Sequence, residues 1–192
     1  MIDCLYQPFK HWANNKAIWI YSDTHFEDSD CHLMDSNWIT PTEQIKILNS
    51  QAGRKDTLIL LGDIGNPEWL NKLHASYKIL ITGNHDKGTS IYKSYFDEIY
   101  NGPLLIADKI LLSHEPINGL DWCLNIHGHD HGSNGGRVNL NHYCVCSNTV
   151  QYKALNLNSF IKNGGLAHIP SIHRLTINYA TEHSLHKEVD NG

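Results

Sequence analysis

An α/β fold is predicted from two observations in the first half of the chain. Short apolar runs each stop at Asp, Asn or His, and capped, proline-started helical segments lie between them. Ala17 to Tyr21 reads as a strand running into Ser22-Asp23-Thr24-His25. Thr40-Pro41-Thr42-Glu43 then forms a capping box with Pro at the first helical position, ahead of Ile45, Ile47, Leu48 and Ala52. Thr57 to Leu61 is a second strand, ending in Gly62-Asp63, and Asn66-Pro67-Glu68 starts a second helix with Trp69, Leu70 and Leu73 as its apolar stripe. Tyr77 to Ile81 is a third strand, ending in Thr82-Gly83-Asn84-His85-Asp86. Such alternation favours parallel strands with right-handed crossovers, which bring their C-terminal ends to the sheet edge where open α/β folds bind ligands.

The second half reads as more hairpin-like. Leu104 to Ala107, a turn at Asp108-Lys109 and Ile110 to Leu112 lead into Ser113-His114-Glu115-Pro116. Cys123 to Ile126 is a strand running into His127-Gly128-His129-Asp130-His131, and Tyr143 to Cys146 alternates as a strand. Leu155 to Ile161 fits a short helix ended by Asn163-Gly164-Gly165. From Leu166 onward no pattern dominates, and the polar stretch Thr181 to Gly192 is expected to fray.

Composition narrows the function. A chain of 192 residues fits one domain, expected over 1–192 with its motif-bearing part at about 17–165. Fifteen Lys and Arg against 20 Asp and Glu leave a net charge of -5, which disfavours broad binding to nucleic-acid backbones or anionic membranes. The longest aliphatic run, Leu58 to Leu61, is far too short to span a bilayer, and no secretion signal is expected. Five cysteines, an odd number with no CxxC pair, suit reduced thiols in a cytoplasm. Monomer and homodimer are both left open. The anomaly is 14 histidines, with His127, His129 and His131 inside five positions.

Asp23, His25, Asp63, Asn84, His114, His129 and His131 all fall at predicted strand ends. A mixed nitrogen and oxygen set suits Mn, Fe, Zn or Ni better than Ca or Mg. Seven ligands exceed one ion's needs and divide between two with a carboxylate shared, as a two-metal hydrolase requires.

Taken in order, Asp23-Thr24-His25, Gly62-Asp63, Gly83-Asn84-His85-Asp86, His114 and Gly128-His129-Asp130-His131 resemble the calcineurin-like metallophosphoesterase superfamily, in its compact bacterial and phage type. The resemblance implies a four-layer α/β/β/α sandwich of two mixed sheets. It implies that Asp23, His25, Asp63 and His131 hold one metal, and Asp63, Asn84, His114 and His129 the other, with Asp63 bridging. The cofactors would be two divalent ions, manganese first, with iron, zinc or nickel as alternatives. His85 would protonate or stabilise the leaving oxygen, Asp86 would hold the His85 ring, and metal-activated hydroxide would attack a phosphomonoester or phosphodiester in line. The substrate would be small and phosphorylated, a nucleotide being the vaguest choice. Nuclease action on polynucleotides and a non-catalytic interaction scaffold are the competing readings.

The chain also departs from the family. Relatives often continue Phe-Gly-His after the first histidine, whereas here Phe26-Glu27-Asp28 follows. A phosphate-side histidine is missing, and the new carboxylates would repel a highly anionic substrate unless they face solvent, the preferred reading. Arg137 and Lys87 are candidate phosphate contacts set against solvated loop cations. His127 is expected to be a buried core histidine, Cys144 and Cys146 packing residues on one strand face, and the five tryptophans core or loop anchors, with base stacking by Trp38 or Trp122 the alternative.

Overall fold

The computed structural model describes Trp12 and residues 16–86, 88–106 and 109–170. Its strands are β1 (Ile18–Tyr21), β2 (Thr57–Leu60), β3 (Tyr77–Ile81), β4 (Glu98–Tyr100), β5 (Leu104–Ile106), β6 (Ile110–Ser113), β7 (Leu124–His127), β8 (Gly136–Arg137), β9 (His142–Cys144) and β10 (Leu155–Asn156). The helices are α1 (Cys31–Met34), α2 (Pro41–Gln51) and α3 (Leu157–Lys162), with 3₁₀ turns at Pro67–Lys72 and Thr89–Tyr92. Two mixed sheets result, ordered β10-β1-β2-β3-β4 and β5-β6-β7-β9-β8. In the first, β1, β2 and β3 run parallel as predicted and β4 extends the parallel set; in the second, β6, β7 and β9 run parallel. β4, β8 and β10 are too short or too weakly patterned to be read from the sequence.

Alternation in the strands builds the layers. Ile18, Ile20, Ile59, Leu61, Ile79 and Ile81 face the second sheet and pack against Ile106, Ile110, Leu112, Leu124, Ile126 and Val145. Tyr21, Leu58, Leu60 and Leu80 face the other way, onto Ile45 and Leu48 of α2. Each fully buried Leu or Ile contributes about 1.5–3 kcal/mol. Over the outer face of the second sheet, Leu105, Leu111 and Cys123 are covered by a loop carrying Ile117, Leu120 and Trp122. Trp122 is therefore spent on packing.

The predicted capping box at α2 is present: Thr40 accepts from the Glu43 N–H, and the Glu43 carboxylate accepts from the Thr40 N–H. The segment after Asn66-Pro67 is a 3₁₀ turn rather than an α-helix, because the Asn66 side chain accepts from Glu68 N–H and tightens the chain at once. Gln44, buried on α2, donates from Nε2 to Thr24 O at 3.1 Å and accepts from the Tyr21 hydroxyl at 3.3 Å, docking the helix onto the loop after β1. Among the described residues, no helix is long and apolar enough to cross a membrane. The expected fraying of Thr181 to Gly192 and the candidate Lys87 fall outside the described residues.

Candidate metal centre

All the predicted strand-end residues come to one place, because the parallel strands of both sheets end at the same edge. Asp23 and His25 follow β1, Asp63 follows β2, Asn84 and His85 follow β3, His114 follows β6, and His129 and His131 follow β7. A bridge between Ser22 and Cys146 joins the two sheets at this edge. Four of these residues have left-handed backbones: Asp23 at φ 56°, His25 at 40°, Asp63 at 53° and His129 at 64°. Such conformations cost non-glycine residues roughly 1–3 kcal/mol each and persist only where the surroundings impose them. Here the Ser22 and Thr24 hydroxyls donate to Leu61 O and Ile64 O, and the Ser147 hydroxyl donates to Asp23 O at 2.6 Å.

The two aspartates organise the site. Asp23 is fully buried and accepts from the His129 N–H with both oxygens, at 3.1 and 3.0 Å; its Oδ1 lies 3.5 Å from His131 Nε2. Asp63 is 2 % exposed, and its Oδ2 lies 3.3 Å from His114 Nε2 and 3.7 Å from His25 Nε2. Asn84 Oδ1 meets His114 Nε2 at 2.8 Å and His129 Nδ1 at 3.2 Å.

Three histidines have their tautomer fixed from behind. His114 Nδ1 faces Leu61 O at 2.7 Å, His25 Nδ1 faces Asp28 Oδ2 at 3.0 Å, and His131 Nδ1 faces Asn148 Oδ1 at 3.0 Å. Each partner oxygen accepts, so each Nδ1 carries the proton and each neutral ring turns an Nε2 lone pair toward a carboxylate. Lone pairs aimed at oxygens repel one another unless a cation lies among them. His25 Nε2 makes the case most plainly, as the one buried side-chain nitrogen or oxygen among the described residues with no hydrogen-bond partner. The donor set therefore fits divalent metal, and Asp23, Asp63 and His114 offer ligand atoms all within 4.8 Å of one another.

Without metal, a proton serves the same end. Burial alone would lower the His114 pKa, but the hydrogen bond to Asp63 and the charges of Asp23 and Asp63 raise it to about 9 from an ordinary 6.5. A raised folded-state pKa stabilises fully below the unfolded value and the gain is lost as pH rises through the folded one. Chelator-treated protein should therefore lose stability, by about 3 kcal/mol, between about pH 6.5 and 9. Denaturant midpoints across that range check this, and a flat profile in metal-free protein would contradict it.

Three roles differ from expectation. Asp86 does not hold the His85 ring: its carboxylate accepts from the Asp63, Ile64 and Gly83 N–H groups at 3.0, 3.0 and 2.7 Å and from the Tyr92 hydroxyl at 2.9 Å. It ties the loops after β2 and β3 together instead. His85 is exposed, with its N–H on Asp63 Oδ1 at 2.9 Å and its ring 5.7 Å from that of His25. Arg137 is not brought to the cluster: its guanidinium donates to Leu140 O and Gly165 O and lies over Phe160, in a separate cavity of about 900 Å³. Glu27 faces solvent and binds Asn66, while Asp28 turns inward to His25.

His127 is a core histidine, donating from Nδ1 to Gly128 O at 2.9 Å, with its pKa lowered chiefly by burial. Trp38 is 8 % exposed and packs edge-on against His25 and beside His131, so it walls the site. Sequence reasoning missed Asp28 and Asn148 as partners of ligand histidines. It also missed Cys146, whose Sγ lies 3.1 Å from His131 Nδ1 and which groups with Asp23 and His131. No local signal marks any of the three.

Residues 16–184 match the family model described as calcineurin-like phosphoesterase. No curated protein matches the chain. Among solved structures, the protein of unknown function AQ665 from Aquifex aeolicus is similar, with a TM-score of 0.62 and 27% identity over 76% of this chain and 98% of that one. The Pseudomonas putida nuclease MPE matches with a TM-score of 0.41 and 19% identity over 58% of this chain and 60% of that one.

Proposed function

This chain belongs to the calcineurin-like phosphoesterase family, and we propose that it is a phosphoesterase dependent on two divalent metal ions, acting on a small phosphomonoester or phosphodiester. The observation that carries this reading is the convergence of His25, His114 and His131 Nε2 lone pairs on Asp23 and Asp63. Asp23, His25, Asp63 and His131 would hold one ion; Asp63, Asn84, His114 and His129 would hold the other. An anionic oxygen is the right shared ligand because it offsets part of the repulsion between two dications. Mixed imidazole and carboxylate donors favour manganese, iron, zinc or nickel. The chemistry such ions supply when bound is Lewis acidity toward phosphoryl oxygens and a water-derived nucleophile at neutral pH.

The chain's own groups do the rest. Asp28, Leu61 O and Asn148 orient the ligand rings, and Asp86 fixes the backbone that carries Asp63. His85 stands exposed at the mouth, where its imidazole delivers a proton to the departing ester oxygen.

Substituting His85→Ala tests both the reaction and that role. Chelator-treated protein reloaded with Mn, Zn or Ni should hydrolyse p-nitrophenyl phosphate or bis-p-nitrophenyl phosphate, the preferred ester separating phosphatase from phosphodiesterase. The variant should lose about 10²–10⁴-fold in kcat on an alkyl ester. It should lose far less on p-nitrophenyl esters, whose leaving group needs little protonation, and metal content should stay unchanged. Equal losses on both esters would remove the proton-donor role. No hydrolysis by metal-loaded protein would overturn the enzyme reading.

A further inference from the structure

The two proposed metal positions differ in what covers them. Residues 28–38, which include α1, lie against the first position and contact both of its histidines. Asp28 Oδ2 is 3.0 Å from His25 Nδ1, and the Cys31 thiol donates to His25 O at 3.4 Å. The Trp38 ring packs against those of His25 and His131, with centroids 5.8 and 5.7 Å away. Asp35 Oδ2 accepts from Asn148 Nδ2 at 3.4 Å, and Asn148 Oδ1 in turn meets His131 Nδ1. Among the described residues, no hydrogen bond, ion pair or ring contact joins this segment to Asn84, His114 or His129, the ligands of the second position alone. Burial differs in the same sense at the two ends of the centre: His25 is 3% exposed, whereas Asn84 is half-buried and His129 exposed.

The segment is fixed at its ends and weak in its middle. Before it, the Phe26 N–H donates to Ile64 O at 2.9 Å. After it, the Ile39 N–H donates to the Tyr152 hydroxyl at 3.2 Å, and the Thr40 capping box starts α2. Between these anchors α1 has four residues, its N-cap Asp30 makes no side-chain cap bond, and Cys31 is its one buried residue, with Leu33 85% exposed. So short a helix is not stable by itself, and few buried apolar contacts let it open at low free-energy cost. We propose that residues 28–38 are a strap that positions both histidines of the first ion and gates the exchange of that ion with solution, while the second ion exchanges without it. The inference rests on the two-ion reading above and deepens it. With the strap down, Asp28 and Asn148 keep the His25 and His131 rings turned to the centre. With it lifted, His25 loses Asp28, His131 loses the Trp38 wall, and the first position opens to solvent.

Leu33→Gly tests the gate, because it loosens α1 without removing a contact to either histidine. Protein loaded with zinc is mixed with excess 4-(2-pyridylazo)resorcinol, and release is followed by absorbance. Wild type should release one equivalent fast and one slowly. Leu33→Gly should speed the slow phase about three- to fivefold and leave the fast phase unchanged, and Leu33→Ala, the stronger helix former, should speed neither. His129→Ala, which lacks a ligand of the second position, should lose the fast phase. Amide exchange supplies a readout independent of release. The Leu33 and Asp35 N–H groups, which donate to Asp30 O and Cys31 O, should exchange at least about tenfold more slowly in zinc-loaded than in metal-free wild type. In the loaded Leu33→Gly variant they should exchange about three- to fivefold faster than in loaded wild type. Two equivalents leaving wild type in one phase, a slow phase unmoved by Leu33→Gly, both phases moved equally, or the same amide exchange with and without zinc overturns this inference alone. Release of a single equivalent by wild type overturns the two-ion reading and this inference with it.

Discussion

Asp63→Asn should lower kcat/KM by on the order of 10³-fold and leave the protein unable to retain a full complement of metal. Among the described residues, Asp63 is the one side chain whose carboxylate approaches both His25 Nε2, at 3.7 Å, and His114 Nε2, at 3.3 Å. Removing its charge therefore weakens both halves of the donor set together, whereas loss of a terminal histidine weakens one. Isothermal titration with manganese or zinc should show the missing equivalent. The metal-free variant supplies a second readout. Asp63 supplies the hydrogen bond and part of the charge that raise His114 to about 9, so without them burial dominates and the value should fall. Titration of the His114 ring by NMR measures this. Retained stoichiometry and an unmoved His114 would together show that Asp63 is not the shared ligand.

The second large effect is on stability. A Cβ on Gly83 would sit 2.2 Å from Asp63 Oδ1 and 2.8 Å from Asp63 N, inside contact distance of a carboxylate already held by the His85 N–H. Nothing there yields readily, because Asp86 ties the Asp63 and Gly83 amides to the same carboxylate oxygen. Gly83→Ala should cost about 3 kcal/mol and displace Asp63. Gly102 meets no atom within 4 Å of an added Cβ, so Gly102→Ala should change stability by less than about 0.5 kcal/mol. Equal denaturant midpoints for the two variants would contradict the close packing at the centre.

Much of this site is legible in the sequence. The capping box at Thr40 and the apolar runs ending at Asp23, Asp63 and Asn84 are local patterns, and they correspond to α2, β1, β2 and β3. Their order along the chain also carried the family resemblance, because each chemical residue follows directly on the strand that positions it. What could not be read was the outer ring of partners. Asp28 reads as one acidic residue in a polar stretch, and Asn148 as a turn former. Arg137 directly after a glycine-rich turn suggested a phosphate contact, but the fold turns it onto Leu140 O and Gly165 O.

Local pattern was enough for the longer strands, for the residues at their ends and for the chemistry those residues favour, since each is set by neighbours within a few positions. Only the tertiary structure decided which ring nitrogen faces the centre, because that depends on Leu61 O, Asp28 and Asn148 arriving behind the rings. It also decided that Asp86 braces Asp63 rather than His85. Hydrogen bonds between separate loops are fixed by packing of the two sheets at one edge, and that packing has no counterpart in local sequence pattern.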